Sequence, residues 1–223
     1  MITAAGLPVI DGELVLPRVG AWHADIVAQG STALAVGSAC PIAIDNVGTF
    51  AASVVRSGLW LDTVWARVSA GAGGATKTAR ALHYRNTTRR GVAQDLLRAG
   101  GEALASTSDA ATLGANLVSY TQLGMPVGQS LSALLDVRGS NRVWRQLADG
   151  TVFVGVETWP DSGLTDLIDY QDLNERPQEA FAELGFENVG KLLPGTLLGG
   201  RKVSTVVYAF DGGKVRARVL FED

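Results

Sequence analysis

Apolar and polar residues alternate along much of the first seventy positions. From Val19 to Ala28, Trp22, Ala24 and Ile26 fall on one side and His23 and Asp25 on the other. That is the period of a half-buried strand. Glu13-Leu14-Val15-Leu16 reads as a strand stopped by Pro17, which cannot donate to a ladder. Pro41 to Asp45 and Thr49 to Arg56 are further short runs, the second broken at Ser57-Gly58. Leu59, Leu61, Thr63 and Trp65 then alternate with Trp60, Asp62, Val64 and Ala66. Short strands at near-regular spacing predict a sandwich or barrel over residues 1–75. Gly71-Ala72-Gly73-Gly74 closes it as a flexible corner.

The period changes after residue 76. Thr87 or Thr88 caps a helix carrying Val92, Ala93, Leu96 and Leu97, and Gly100-Gly101 ends it. A second helix starts at Pro126, places Val127, Leu131, Leu134 and Leu135 on one stripe, and stops at Gly139. A third short helix is expected within 105–120. Residues 76–140 thus form a helical insert. Strands return in 141–223. Val143 to Leu147 and Thr151 to Val156 flank Asp149-Gly150, a strong tight-turn signal. Residues 161–190 are acidic and irregular, with a helical turn or two expected around Gln178 to Leu184. The chain finishes on Lys202 to Phe210, the turn Asp211-Gly212-Gly213 and Lys214 to Glu222. In that last strand Val215, Ala217, Val219 and Phe221 face inward. The order is β-block, α-insert, β-block, a mainly β chain with an α-helical insert.

Composition narrows the function classes. Of 223 residues 47% are hydrophobic and only 18% charged, which excludes disorder. A single cysteine excludes an intramolecular disulfide and a cysteine-cluster metal site. No signal peptide is expected from the first residues, and no uncharged apolar run reaches the length of a membrane span. Charge is unevenly spread: residues 76–145 carry net +5 and residues 146–190 net −9. Such blocks either meet different environments or face each other within one fold.

Candidate chemistry is sparse. Gly71 to Thr78 approaches a phosphate-cradling loop, but Thr76 stands where the second glycine belongs. His23 and His83, the two histidines, are sixty residues apart and suggest no zinc site. Asp161, Asp166, Asp169, Asp172 and Glu175 invite a glycosidase or calcium reading. They lack rigid paired placement and calcium-loop spacing, so a solvated or channel-facing acidic surface is preferred. Lys77, Arg80, Arg85, Arg89 and Arg90 can touch phosphates or pair with the acidic block. Trp22, Trp60, Trp65, Trp144 and Trp159 lie on or beside strands, as suits a thin β-core or subunit interfaces.

Gly12 to Asp25 resembles the opening strand pair of phage tail baseplate hub proteins. Tyr84 to Glu102 with Leu104 to Asp109, Val143 to Gly155 running into Glu157-Thr158-Trp159-Pro160, and Leu193 to Arg201 are similar as well. The resemblance implies a non-enzymatic virion protein of the phage tail, made in the host cytoplasm, without cofactor or metal. It implies a homotrimeric hub ring whose chains each supply two tail-tube-like β-barrel or sandwich domains. Its partners would be a tail tube or distal tail protein above and a tip or spike protein below, with genomic DNA passing through unbound. On that reading Trp60, Trp65, Arg85, Arg89 and Arg90 belong to the subunit interface, and Asp161, Asp166, Asp169 and Asp172 face the channel. The alternative is a tail-associated cell-wall or polysaccharide hydrolase using residues 146–190.

Overall fold

The computed structural model describes residues 1–164, 181–184 and 192–222. The first block contains β1 (Ile2–Ala4), β2 (Leu7–Pro17), β3 (His23–Gln29), β4 (Ile42–Ile44), β5 (Gly48–Phe50), β6 (Ala52–Trp60) and β7 (Thr63–Ala70). A 3-10 turn at Gly74–Thr76 leads into β8 (Leu82–Thr88), α1 (Arg89–Gly100), α2 (Ala110–Gly114), β9 (Asn116–Gln122), α3 (Val127–Leu135), β10 (Arg142–Gln146) and β11 (Val152–Val156). The chain closes with β12 (Phe181–Leu184), β13 (Leu197–Leu198), β14 (Arg201–Asp211) and β15 (Lys214–Phe221). It is mainly β.

One antiparallel sheet dominates. β2 pairs with β3, β3 with β7 and β7 with β6. The start of β6 pairs in turn with the residues ahead of β4, through an Ala39–Ser53 bridge and a 2.8 Å bond from the Cys40 amide to the Ala52 carbonyl. β4 pairs with β1, and β1 returns to β2. The C-terminal hairpin extends this same system: β14 pairs with β2 from Asp11 to Pro17. The strand pairing therefore cuts across the three segments drawn from the sequence. Its inner face carries one core built from both ends of the chain, including Leu14, Trp22, Ala24, Ile26, Val68, Tyr208, Phe210 and Ala217. The alternation in β3 and β15 sorts residues inward and outward as expected, with Val215, Ala217 and Val219 buried. Burial raises the Tyr208 phenol well above its ordinary pKa, and its hydroxyl donates to the Leu192 carbonyl.

A second core lies under α1 and α3, where Val92, Leu96, Leu97, Leu131 and Leu135 meet Trp144, Val152 and Val154 of β10 and β11. Its walls are helices and two two-stranded ribbons, β8–β9 and β10–β11. The Thr88 hydroxyl caps α1 by accepting the Gly91 amide, and left-handed Gly101 ends it. α3 begins after Pro126 as expected but ends earlier than Gly139, at left-handed Asp136. Residues 105–120 hold only the five-residue α2 before the chain extends into β9. Residues 181–184, expected near a helical turn, form a strand against β15.

The Asp109 carboxylate caps α2 by accepting from the Ala111 and Thr112 amides and the Thr112 hydroxyl. These bonds hold its pKa below the ordinary aspartate value. A depressed folded pKa gives stability that is present above the unfolded pKa and is lost as pH falls through the folded one. Asp109→Ala is therefore expected to lower the melting temperature near neutral pH. The gap from the parent should close as pH drops through about 4 and below. A gap unchanged in acid would overturn the role given to the carboxylate.

Candidate functional site

The tryptophans sort into three environments. Trp22 and Trp144 are buried. Trp159 is half-buried between the Arg18 guanidinium at 5.3 Å and the Lys202 ammonium at 5.0 Å from its ring centroid. Trp60 and Trp65 are 73% and 44% exposed, on the hairpin β6–β7. Their neighbours Val55, Leu59 and Leu61 are exposed too, Leu61 at 85%. Trp60 pairs with Thr63, so Leu61 and Asp62 form the turn itself. The Thr63 hydroxyl donates to the Trp60 carbonyl at 2.6 Å, and the Gly30 amide to the Asp62 carbonyl at 3.2 Å. The Trp65 indole lies across Gly58, its cross-strand partner, where an added Cβ would stand 2.4 Å from Nε1. The hairpin end is thus a fixed apolar knob.

The basic stretch lies elsewhere. Arg85 is exposed on β8 and donates from Nε to His83 Nε2 at 3.4 Å, while His83 Nδ1 sits 2.9 Å from the Thr121 hydroxyl. Arg90 is exposed at the start of α1. Arg89 turns inward, donating to the Thr112 carbonyl at 2.8 Å. Its Nε is buried without a hydrogen-bond partner, and burial and the nearby Arg142 charge lower its pKa. Trp60 and Trp65 belong to β6 and β7 of the large sheet, whereas Arg85 lies on the β8–β9 ribbon and Arg89 and Arg90 open α1.

The glycine-rich corner has an internal occupant. The amides of Ala72 and Gly74 donate to the Glu102 carboxylate, at 3.1 and 2.7 Å, and Gln146 Nε2 adds a 2.8 Å bond. A phosphate would need those same donors. Gly74 is pressed against Gly100, where a Cβ would lie 2.3 Å from the carbonyl oxygen, so the corner is a packed joint. Arg145 and Glu157 make a second joint: a 2.8 Å ion pair with Glu157 buried, while Arg145 also reaches the Pro194 carbonyl at 3.3 Å. Asp161 is exposed and accepts the Gly163 amide at 2.9 Å. Asp166, Asp169, Asp172 and Glu175 lie outside the described residues. Among the described residues no cluster of three or more His, Cys, Asp or Glu could hold a metal ion, and no helix is long and apolar enough to cross a membrane.

One feature that no local pattern signals is an open cleft of about 990 Å³ where the large sheet meets the second body. Four separate segments line it, which is why strand and helix periodicity could not reveal it. Val19, Ala21, Ala75, Met125 and Pro126 give it apolar walls, Ala133 and Val137 come from α3 and the residues after it, and Trp144 forms the floor. The Trp144 indole is held by its 2.8 Å bond to the Ser132 hydroxyl. Asp136 and Arg138 stand on the rim.

No protein-family profile and no curated protein sequence matches the chain. Solved structures do. The 43 kDa tail protein of prophage MuSo2 from Shewanella oneidensis matches with a TM-score of 0.74 at 12% identity, over 99% of this chain and 96% of its own. The tail protein from Neisseria meningitidis MC58 matches with a TM-score of 0.67 at 13% identity, over 100% and 95%. The E. coli c3393 protein matches with a TM-score of 0.62 at 12% identity, over 99% and 76%. It is a component of the type VI secretion system with structural similarity to the bacteriophage T4 tail proteins gp27 and gp5. This chain shares the fold of phage tail proteins from end to end.

Proposed function

We propose that the chain is a non-enzymatic structural subunit of a phage-type tail, built into the virion after synthesis in the host cytoplasm. The observation that carries this reading is the fold match, which spans nearly the whole of two tail proteins. The exposed knob at Trp60, Leu61 and Trp65 supports it, because a monomer rarely leaves such side chains in water as a group.

In its finer form the proposal is a homotrimeric hub ring between the tail tube or distal tail protein and a tip or spike protein. Two tube-like units per chain would let three chains match a sixfold tube; the large sheet is one such unit, and the helix-and-ribbon body stands in the place of the other. Trp60 and Trp65 supply interface area, and exposed Arg85 and Arg90 supply register against the acidic block. Arg89 holds α2 from within. Asp161, with Asp166, Asp169 and Asp172, faces a channel through which DNA passes without sticking, since like charge repels phosphate. Light scattering on the purified protein should give about three times the chain mass, the ring size that the resemblance to hub proteins implies, with head-to-tail contacts closing the ring. Arg85→Glu with Arg90→Glu should shift it toward one. A stable dimer overturns the ring.

A further inference from the structure

Leu61 occupies a backbone conformation that disfavours it. Its φ is +53°, in a two-residue hairpin turn, where glycine, asparagine or aspartate is the usual choice. Among the described residues its side chain stays 85% exposed, beside a 73% exposed Trp60. A strained backbone residue that also wastes its apolar surface points to a contact outside the subunit.

The cleft lies at the far end of the same strand. β7 begins next to the turn at Thr63 and ends at Ala70, a few residues before Ala75 and Thr76 line the cleft. Eight strand residues separate knob from cleft by roughly 25 Å, so the knob cannot fold back into its own cleft. Charge complementarity favours a second copy as the occupant. Exposed Asp62 lies in the turn of the knob and exposed Arg56 four rungs down β6, and exposed Asp136 and Arg138 flank the cleft. Among the described residues none of these four has an ion-pair partner.

We infer that the Leu59–Trp60–Leu61 knob of one copy docks into the Trp144-floored cleft of the next, with Asp62 meeting Arg138 and Arg56 meeting Asp136. This deepens the ring proposal and rests on it. The contact joins two different faces, so it repeats head to tail. Gly58 matters to it because Trp65 can lie flat only where no Cβ intervenes.

Cysteine cross-linking tests the contact, since the native Cys40 is fully buried and silent. Leu61→Cys and Ala133→Cys chains are prepared separately, both at exposed positions, and mixed under mild oxidation. A bridge requires Cα atoms within about 7 Å. The expected result is a disulfide-linked dimer from the mixture and none from either variant alone. Asp62→Arg should abolish the product, and Arg138→Asp on the partner variant should restore it. A dimer from Leu61→Cys alone would mean that knob meets knob and would overturn the inference. Assembly to about three chain masses without a mixed cross-link would overturn this contact and leave the ring standing. A monomer at every concentration would overturn both.

Discussion

Trp22→Ala is expected to lower the free energy of unfolding by about 3–5 kcal/mol, the range for cutting a buried tryptophan back to alanine. Trp22 is 1% exposed and meets Phe50 edge-on at 5.6 Å, and Phe50 lies 6.4 Å from Tyr208 of the C-terminal hairpin. Its indole N–H donates to the Leu147 carbonyl at 3.3 Å, beyond β10 in the second body. The substitution therefore opens a cavity in one core and removes a bond to the other. Trp22→Phe keeps the ring contact and loses the bond. It should recover all but a smaller deficit, of which the hydrogen bond itself accounts for about 1 kcal/mol. Urea unfolding followed by circular dichroism measures both. A loss under about 1 kcal/mol for Trp22→Ala would show that the site collapses around the gap.

Glu157→Ala is expected to cost a similar amount, about 3–5 kcal/mol, because it strands a partly buried guanidinium. Glu157 retains 3% of its side-chain exposure and Arg145 retains 22%. Arg145 lies 5.2 Å from the Phe153 ring centroid and crowds Gly195, so it has little room to turn toward water. Replacing both partners, Arg145→Met with Glu157→Leu, should restore most of the loss, since a well-packed apolar pair often matches a buried ion pair. The parent, Arg145→Met, Glu157→Leu and the double variant form a double-mutant cycle. Additive losses would mean that the two residues act separately and that the ion pair is not what joins residues 194–195 to β10.

The sequence reveals faces better than partners. Alternation in β3 and β15 identifies their inward residues, because a period of two depends only on the strand itself. The Asp149-Gly150 turn, the Thr88 cap and the α3 stripe are local in the same sense. That β14 pairs with β2 is not local: Tyr208 sits opposite Leu14, and nothing in either strand specifies the other. β8 escapes notice because Leu82–Thr88 has little apolar alternation, its outer face being solvated by His83, Arg85 and Thr87. The glycine corner reads as flexible because its anchor, the Glu102 carboxylate, arrives from beyond α1. Of the candidate interface, Trp60 and Trp65 stand out by residue type, whereas Leu61 becomes significant only through its backbone angle and exposure. Arg89 looks like its exposed neighbour Arg90 in sequence and differs only because α2 packs beside it.

The pairing of β14 with β2 also sets an order of events during synthesis. Leu14 and Leu16 are made about 190 residues before their edge partners Tyr208 and Val206. At roughly 5–20 residues per second the open edge of β2 waits on the order of 10–40 s. β3 can zip onto the opposite edge meanwhile, and the second body can form whole, since its strands and helices are contiguous in the chain. The nascent protein is therefore a finished insert beside an unfinished sheet, and an unpaired strand edge is a template for misassociation. Defects in the last hairpin will show first as chains lost to aggregation at the ribosome's exit, before any folded molecule exists whose melting could be measured.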